Sequence, residues 1–403
     1  MTSAFAPGLA SRQKLTALLA GLMAVAPLSI DLYLPGLDHM AAEFDASAEA
    51  AQATVAIYLA GLAFGQFAYG PASDRLGRRP VLILGLAVYT AASLACALAP
   101  AIGVMIGARF AQALGGCACM VIIRAVIRDC FDHQEAARFF SLLALVAGAA
   151  PVLGPLFGGF LVAASGWRIV FFLLSAFGAG LALAVFLMLP ETRSEATRSR
   201  ARSENPFKAY AALLKIPGFR SYLVATGMNL AAMFAYIAAS SPVLSGLFAL
   251  TPIEFGFAFA ANAAGLVAGS QINRILLKHR RADWLLKKMG LAGAVLAGVL
   301  CMASLFGAHA LWVVLACFFA TTTLVGMIQG NVTAGALSVD PERAGSASAL
   351  LGGASFFCGT AAAFASGALF DNTARPALLV MTACLAISAG AVFLLKNNRP
   401  GVV

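Results

Sequence analysis

Charged residues are scarce in this chain of 403 residues: only 11% are Asp, Glu, Lys or Arg, against about 25% in an average soluble domain. Hydrophobic residues make up 61% of the sequence, and the mean hydropathy is +0.89. The sequence also lacks the alternating segments of about ten residues that are typical of strands in a transmembrane barrel. These deficits exclude a soluble globular domain and a membrane barrel, and they indicate an α-helical membrane protein.

Metal-binding and redox motifs are missing as well. The eight cysteines include no CxxC pair, and the four histidines, at positions 39, 133, 279 and 309, form no close pair. We therefore expect no metal site and no cofactor, and we interpret the cysteines as small core residues. A membrane enzyme would need an acid/base, nucleophilic or metal-binding set of residues inside the apolar runs. Because no such set is present in the sequence, we do not expect an enzyme.

Long apolar runs are abundant instead. A helix needs about 20 apolar residues to cross a bilayer core, and we count twelve runs of roughly that length. The predicted fold class is therefore an all-α membrane protein with twelve transmembrane helices. The predicted spans are 15–37, 51–70, 79–99, 103–127, 139–163, 168–189, 220–243, 252–273, 287–307, 310–335, 345–369 and 375–396.

The longest polar interruption, at residues 191–220, separates six spans from six. We predict an N-terminal six-helix half at residues 1–190, a cytoplasmic linker at 191–219 and a C-terminal six-helix half at 220–403. The loops after the second and the eighth span are both basic, which indicates that the halves are pseudo-symmetric. Duplicated helical halves are typical of secondary transporters, whose substrate site lies near the midplane between them.

The net charge of +10 is distributed asymmetrically. If the N-terminus is cytoplasmic, the inner segments hold most of the Lys and Arg residues, including clusters at 193–220 and 274–288. The outer loops then keep only Arg168 and Arg375. This positive-inside pattern predicts that both termini face the cytoplasm. The net charge is therefore explained by the membrane topology. It does not indicate a nucleic-acid partner, and we expect none.

Asp31 and Arg109 are charged residues that lie well inside predicted spans. Asp31, in the stretch SIDLYLP, and Arg109 lie less than two helical turns below the outer ends of spans one and four, so the two residues could share a depth. A carboxylate whose affinity for H⁺ changes with burial and nearby charges can couple proton movement to substrate binding. We predict that Asp31 and Arg109 form a proton-coupling site. The alternatives are an interfacial Asp31 that caps the helix end, and an Arg109 that pairs with a backbone carbonyl or an acid.

Two further stretches have an unusual composition. GPASDRLGRRP, at 70–80, places a glycine-proline turn, an aspartate and three arginines between spans two and three. Such residues can form a charge cluster that locks two helix ends in one conformation, and a tight turn with topological charge is the alternative. GAAPVLGPLFGG, at 148–159, carries four glycines and two prolines inside span five. A closely packed, bent helix is the simpler interpretation of this run.

These stretches resemble motifs of the major facilitator superfamily. GPASDRLGRRP is similar to its loop motif G-x-x-x-D-R-x-G-R-R/K, and RFAQALGG, at 109–116, is similar to R-x-x-q-G-x-g except at Ala113. The run in span five is similar to the antiporter motif of drug exporters. The resemblance assigns a conformational motif to Gly70, Asp74, Arg75, Gly77, Arg78 and Arg79. It assigns an antiporter motif to Gly148, Pro151, Gly154, Pro155, Gly158 and Gly159.

With D-x-Y-x-P in span one, the chain most resembles the drug:H⁺ antiporters with twelve spans, in particular the bicyclomycin-resistance (Bcr/CflA) family. The resemblance implies a proton-coupled antiporter that exports small amphipathic drugs or toxic compounds, bicyclomycin-like or chloramphenicol-like, by alternating access. A dedicated exporter of one metabolite, such as a siderophore or a sugar, is the alternative.

We also expect a location in the bacterial inner membrane and a monomer that uses the proton gradient and no cofactor. Its expected partners are the small-molecule substrate, protons and the lipid bilayer. The predicted substrate-binding residues combine polar and aromatic side chains from both halves. They are Asp31, Tyr33, Tyr58, Gln112, Asn229, Phe234, Tyr236 and Asn262.

Overall fold

A computed structural model describes residues 9–131, 133–192, 206–306, 310–340 and 343–395 of the chain. These residues form fourteen α-helices, a 3₁₀ turn at Leu34–Gly36 and a π-helical turn at Pro242–Leu247. Twelve of the helical segments are long and apolar enough to cross a membrane. The prediction of an all-α protein with twelve spans is therefore confirmed.

The described residues form twelve long helices and two short ones in chain order. The first seven are α1 Leu9–Asp31, α2 Leu37–Glu43, α3 Ala48–Leu76, α4 Arg78–Ala97, α5 Ile102–Cys130, α6 His133–Ser165 and α7 Arg168–Met188. The other seven are α8 Pro206–Leu214, α9 Pro217–Ser241, α10 Pro252–Leu276, α11 Ala282–Phe306, α12 Leu311–Ser338, α13 Ala344–Ala368 and α14 Arg375–Phe393.

The helices group into two compact units. The first comprises residues 1–204 together with 251–260, and the second comprises 205–250 together with 261–403. The start of α10 thus groups with the first unit. The division into halves at 1–190 and 220–403 stays a prediction.

Part of the predicted linker at 191–219 is described. Residues 193–205 lie outside the described residues, and the segment after them forms the short helix α8. In α8, Tyr210 and Leu213 are buried in a small core of the second unit, against Phe219 and Leu351. The second part of the linker is therefore a packed element of this unit.

The first span is broken near its end because of Pro35. A proline inside a helix clashes with the carbonyl of the residue four positions earlier, which here is Asp31. The α-helix ends at Asp31, and the chain continues through the 3₁₀ turn into α2. Tyr33 and Leu34 are fully buried at this break, which places the end of α1 inside the first unit.

The prediction of a glycine-proline turn at residues 70–80 is wrong. The helix α3 continues through Gly70 and Pro71 as far as Leu76, and Ser73 Oγ donates to the carbonyl of Gly70 at 3.1 Å. The chain reverses at Gly77, whose φ of 106° is strained for any residue with a side chain. Since α4 begins at the next residue, most of the conformational motif lies on two helix ends.

Candidate functional site

Arg109 is the centre of a polar site in the first unit. Its side chain is fully buried, and Nη1 donates to Gln112 Oε1 at 2.6 Å and to the carbonyl oxygen of Ser29 at 2.9 Å. Ser29 lies in the last turn of α1, where carbonyls lack partners within the helix. Arg109 therefore caps the C-terminus of α1, where a positive charge is favourable. The pairing with a backbone carbonyl, one of the alternatives left open by the sequence, is present.

Aromatic rings enclose the guanidinium of Arg109. Its Cζ atom lies 4.3 Å from the ring centroid of Tyr33, 4.1 Å from that of Tyr58 and 5.7 Å from that of Phe171. Such contacts contribute about 2 kcal/mol each when the cation is desolvated. Nε and Nη2 have no hydrogen-bond partner among the described residues. In the described part of the chain, aromatic faces and the two acceptors of Nη1 thus stabilise the charge, and no carboxylate forms an ion pair with it.

A hydrogen-bonded network extends from Arg109 to neighbouring helices. Gln112 Nε2 donates to Ser93 Oγ at 2.8 Å, and Ser93 Oγ donates to the carbonyl of Tyr89 at 2.7 Å. The hydroxyls of Tyr89 and Ser29 are 2.7 Å apart and share a hydrogen bond. Sequence reasoning missed Ser29, Ser93 and Tyr89, although neutral polar residues inside an apolar run were a usable signal. The network fixes the positions of α1, α4 and α5 around the arginine.

Asp31 is the last residue of α1, and its side chain is only 3% exposed. Within the described part of the chain, no ion pair or hydrogen bond reaches its carboxylate. Arg109 contacts α1 two residues earlier, at Ser29. Asp31 therefore lies on the same helix end that Arg109 contacts from α5, but the two residues of the predicted proton-coupling site form no ion pair in this structure.

Two glycines of the antiporter motif pack against the broken end of α1. A Cβ atom at Gly154 would lie 3.0 Å from Asp31 Cβ, and one at Gly158 would overlap the carbonyl oxygen of Leu32. A backbone oxygen cannot move aside as a flexible side chain can. Any residue larger than glycine at position 158 would therefore prevent this close contact between α6 and the end of α1. The motif thus positions the segment that carries Asp31.

The other side of the antiporter motif contacts the start of α10. A Cβ atom at Gly159 would overlap the carbonyl oxygen of Pro252, and one at Gly256 would lie 2.7 Å from the carbonyl oxygen of Pro155. Pro151 and Pro155 both lie inside the continuous helix α6, which also contains Gly148. The contact explains why residues 251–260 group with the first unit.

A cluster around Glu43 and Arg168 holds the beginning of α7 against α2. Glu43 accepts hydrogen bonds from Trp167 Nε1 at 2.7 Å and from Arg168 Nη2 at 2.7 Å. Arg168 Nη1 also donates to the carbonyls of Ala97 and Ala99, at 2.8 and 3.0 Å. One arginine thereby ties together α2, α7 and the turn after α4. The sequence indicated only that Arg168 is an outer charge.

The conformational motif forms a charge cluster around Arg78, which is buried. Arg78 Nη1 is 2.8 Å from Asp74 Oδ1, and Nε is 3.0 Å from Asp129 Oδ2. The carboxylate of Glu191 accepts from the backbone amides of Arg78 and Arg79, at 3.0 and 3.3 Å, at the start of α4. Asp129 and Glu191 were not predicted, because they lie 51 and 113 residues from Arg78 in the sequence.

The remaining motif residues occupy the junction between α3 and α4. Gly70 and Arg75 lie in α3, and Gly77 forms the turn. Arg79 donates through Nη2 to the carbonyl of Phe186 at 2.6 Å. The cluster thus connects α3, α4, α5 and the end of α7 within the first unit.

The four predicted binding residues of the second half are all buried in the second unit: Asn229, Phe234, Tyr236 and Asn262. Asn229 Nδ2 donates to Gln329 Oε1 at 3.1 Å, and the rings of Tyr236 and Phe318 are 4.9 Å apart. Phe234 contacts Phe356, with ring centroids 5.8 Å apart. In α9, Asn229 and Tyr236 thus point towards α12, and Phe234 points towards α13. Their role in binding stays a prediction.

The second unit holds an uncharged counterpart of the charge cluster. Asn273 follows Gly269 by four residues, as Asp74 follows Gly70. Asn273 and Asn331 exchange two amide hydrogen bonds, of 3.2 and 2.9 Å, and both are buried. A neutral pair therefore joins α10 to α12.

The sequence pattern of the Major Facilitator Superfamily matches residues 19–363 of the chain. The chain belongs to the major facilitator superfamily. It is thus a transporter and not an enzyme. The chain is 29% identical over 375 residues to the bicyclomycin resistance protein homolog of Haemophilus influenzae, covering 93% of this chain and 94% of the relative. It is also 29% identical over 377 residues to the multidrug resistance protein MdtL of Salmonella typhi, covering 93% of each.

Solved structures share the fold of this transporter. One is a bacterial homolog of the human lysosomal transporter Spinster, in an inward-facing and occupied conformation. The TM-score is 0.77 at 16% sequence identity, and the likeness covers 96% of this chain and 97% of the other. At this identity the likeness shows the fold alone.

Weakening the charge cluster is expected to slow the transporter without unfolding it. Asp74→Asn removes the charge of one carboxylate that binds the side chain of Arg78, at a cost of about 1 kcal/mol, which changes a conformational equilibrium about fivefold. We expect a several-fold lower turnover at equal protein level, measured as the initial rate of substrate transport in proteoliposomes. Asp340→Asn, which removes an ion pair with Arg343 of 2.6 Å in the second unit, is the matched control. Equal rates for Asp74→Asn and the unchanged protein would contradict a role of the cluster in transport and would indicate that its charges serve only to set the topology.

Proposed function

We propose that this transporter is a proton-coupled antiporter that exports small amphipathic, drug-like compounds by alternating access. The proposal rests on one observation above all: the carboxylate of Asp31 is buried at a helix end, and none of the described residues serves as its counter-ion. A buried arginine, held by aromatic rings, contacts the same helix end. Charges inside a membrane protein are costly and mark transport pathways.

The coupling follows from the electrostatics of a carboxylate. Removal from water disfavours the charged form, whereas an approaching cation or renewed contact with water favours it. Since no ion pair with the described residues holds Asp31, its proton could be displaced when a substrate or Arg109 approaches. Binding of substrate and binding of a proton would then exclude each other, which is the requirement for exchange. The cluster around Arg78 and the glycine contacts of α6 are proposed to switch between conformations during the cycle.

The substrate class is inferred from the side chains and from the relatives. Tyr33, Tyr58 and Gln112 surround Arg109, and this mixture of aromatic and polar groups suits an amphipathic ligand. Asn229, Phe234, Tyr236 and Asn262 are proposed to contribute from the second unit. Two relatives have names that refer to bicyclomycin resistance and multidrug resistance. These names support export of drugs by this chain.

The chain is a multi-pass membrane protein with bacterial relatives. We propose that it resides in the inner membrane as a monomer. Both termini are proposed to lie in the cytoplasm, because the basic residues concentrate in the segments on the same side of the membrane as the N-terminus. The proton gradient, and no cofactor, is proposed to supply the free energy.

Everted membrane vesicles test the function and the orientation together. With an acidic interior, we expect vesicles that contain the protein to accumulate bicyclomycin-like, chloramphenicol-like or cationic compounds, and to release protons when the compound is added. Dissipation of the proton gradient should abolish accumulation. Accumulation of only a siderophore or a sugar would favour a dedicated metabolite exporter, and accumulation that survives without the gradient would contradict proton coupling.

A further inference from the structure

A cluster of basic residues lies in the second unit, where α10 ends and α11 begins. Residues 274–288 contain six Lys or Arg residues and a single acid, Asp283. The six basic residues are all exposed: Arg274, Lys278, Arg280, Arg281, Lys287 and Lys288. A positive surface of this density attracts anionic groups.

A tryptophan lies between two of these cations. Trp284 is 46% exposed, and its ring centroid is 5.1 Å from Arg280 Cζ and 5.7 Å from Lys288 Nζ. An exposed tryptophan is costly in water but favourable at the boundary between lipid headgroups and hydrocarbon. The topological rule explains the cations of this segment, but it does not explain the tryptophan between them.

The exposed face of α11 shows where this boundary lies. Large apolar residues follow Trp284 along one face at spacings of three and four residues, and all are exposed: Leu291, Val295, Val299 and Met302. Lys288 lies between Trp284 and Leu291 on the same face. The opposite face is buried through Leu285, Met289 and Leu300. An exposed apolar face on a spanning helix contacts lipid tails, so Trp284 and Lys288 lie at the depth of the headgroups.

We propose that Arg280, Trp284 and Lys288 form a binding site for the headgroup of an anionic phospholipid of the surrounding bilayer. The two cations bind the phosphate, and the indole lies at the base of the headgroup layer. The continuity with the apolar face of α11 favours a lipid over a soluble partner. The site is independent of the proposed transport reaction, since it lies on the lipid-facing side of one helix.

Quenching of tryptophan fluorescence by brominated lipids tests the site. The protein is reconstituted with brominated phosphatidylglycerol or, at the same mole fraction, brominated phosphatidylcholine. The contribution of Trp284 is the difference between the unchanged protein and Trp284→Phe. We expect phosphatidylglycerol to quench Trp284 about two- to fivefold more than phosphatidylcholine at low salt, and the preference to fall as salt rises.

Matched variants separate the site from general attraction. The double variant Arg280→Gln with Lys288→Gln should lose the preference. Lys215→Gln with Arg220→Gln, which removes two exposed cations elsewhere in the second unit, should keep it. Trp312 is 78% exposed at the start of α12. Its contribution, taken as the difference between the unchanged protein and Trp312→Phe, should be quenched equally by the two lipids. Equal quenching of Trp284 by the two lipids, or a preference that persists in the first double variant, would overturn the proposal.

Discussion

Asp31→Asn is expected to abolish uphill export while the protein remains folded and inserted in the membrane. Asparagine has the shape of the protonated side chain but cannot release a proton. Because no ion pair or hydrogen bond of the described residues involves the carboxylate, its replacement removes no structural contact. We expect substrate binding to persist, whereas proton release on binding and accumulation against a gradient should both be lost.

The control for this variant is Asp45→Asn. Asp45 is an exposed acid in the turn after α2, with a φ of 48° that asparagine also adopts readily. It should transport normally. Accumulation against a gradient by Asp31→Asn, with proton release intact, would show that Asp31 is only the end of a helix.

Replacement of Arg109 is expected to have the second large effect. Arg109→Ala removes a fully buried cation, two hydrogen bonds and the contacts with Tyr33 and Tyr58. The loss of these interactions should destabilise the protein by about 2–4 kcal/mol and abolish transport. Thermal unfolding of the purified protein measures the first effect, and proteoliposome transport measures the second.

Two further variants separate charge from packing at this position. Arg109→Lys keeps the charge but loses the planar contact with both rings. We therefore expect a stability between those of the unchanged protein and Arg109→Ala, and reduced transport. Arg109→Met fills similar volume without charge, so we expect a folded protein that does not exchange protons. Full transport by Arg109→Met would contradict a role for the charge and leave Arg109 as a cap of α1.

Much of the fold could be predicted from the sequence because bilayer thickness fixes helix length. The twelve predicted spans differ from the observed ones mainly at their ends. The error at residues 70–80 arose because glycine and proline usually end a helix, whereas α3 continues through both residues to Leu76. The true turn, Gly77, was one of six candidate residues in the motif and was distinguished only by its positive φ.

The candidate site was only partly predictable. Asp31 and Arg109 stand out in apolar runs, so the sequence could nominate them. The sequence could not show that Arg109 contacts Ser29 instead of Asp31, or that Tyr33 and Tyr58 flank the guanidinium. These contacts depend on the relative rotation and depth of α1, α3 and α5.

The sequence by itself determined the class of protein, the number of spans, the superfamily motifs and the pattern of charge that predicts topology. These properties follow from composition and local spacing. The tertiary structure decided which side chains meet, such as Arg78 with Asp129. The physical reason is that the lipid-facing and the packed sides of a spanning helix are both apolar, so hydropathy does not encode helix rotation. Close contacts between small residues, such as Gly61 against Ala113, and buried polar pairs set that rotation, and they exist only when the helices pack together.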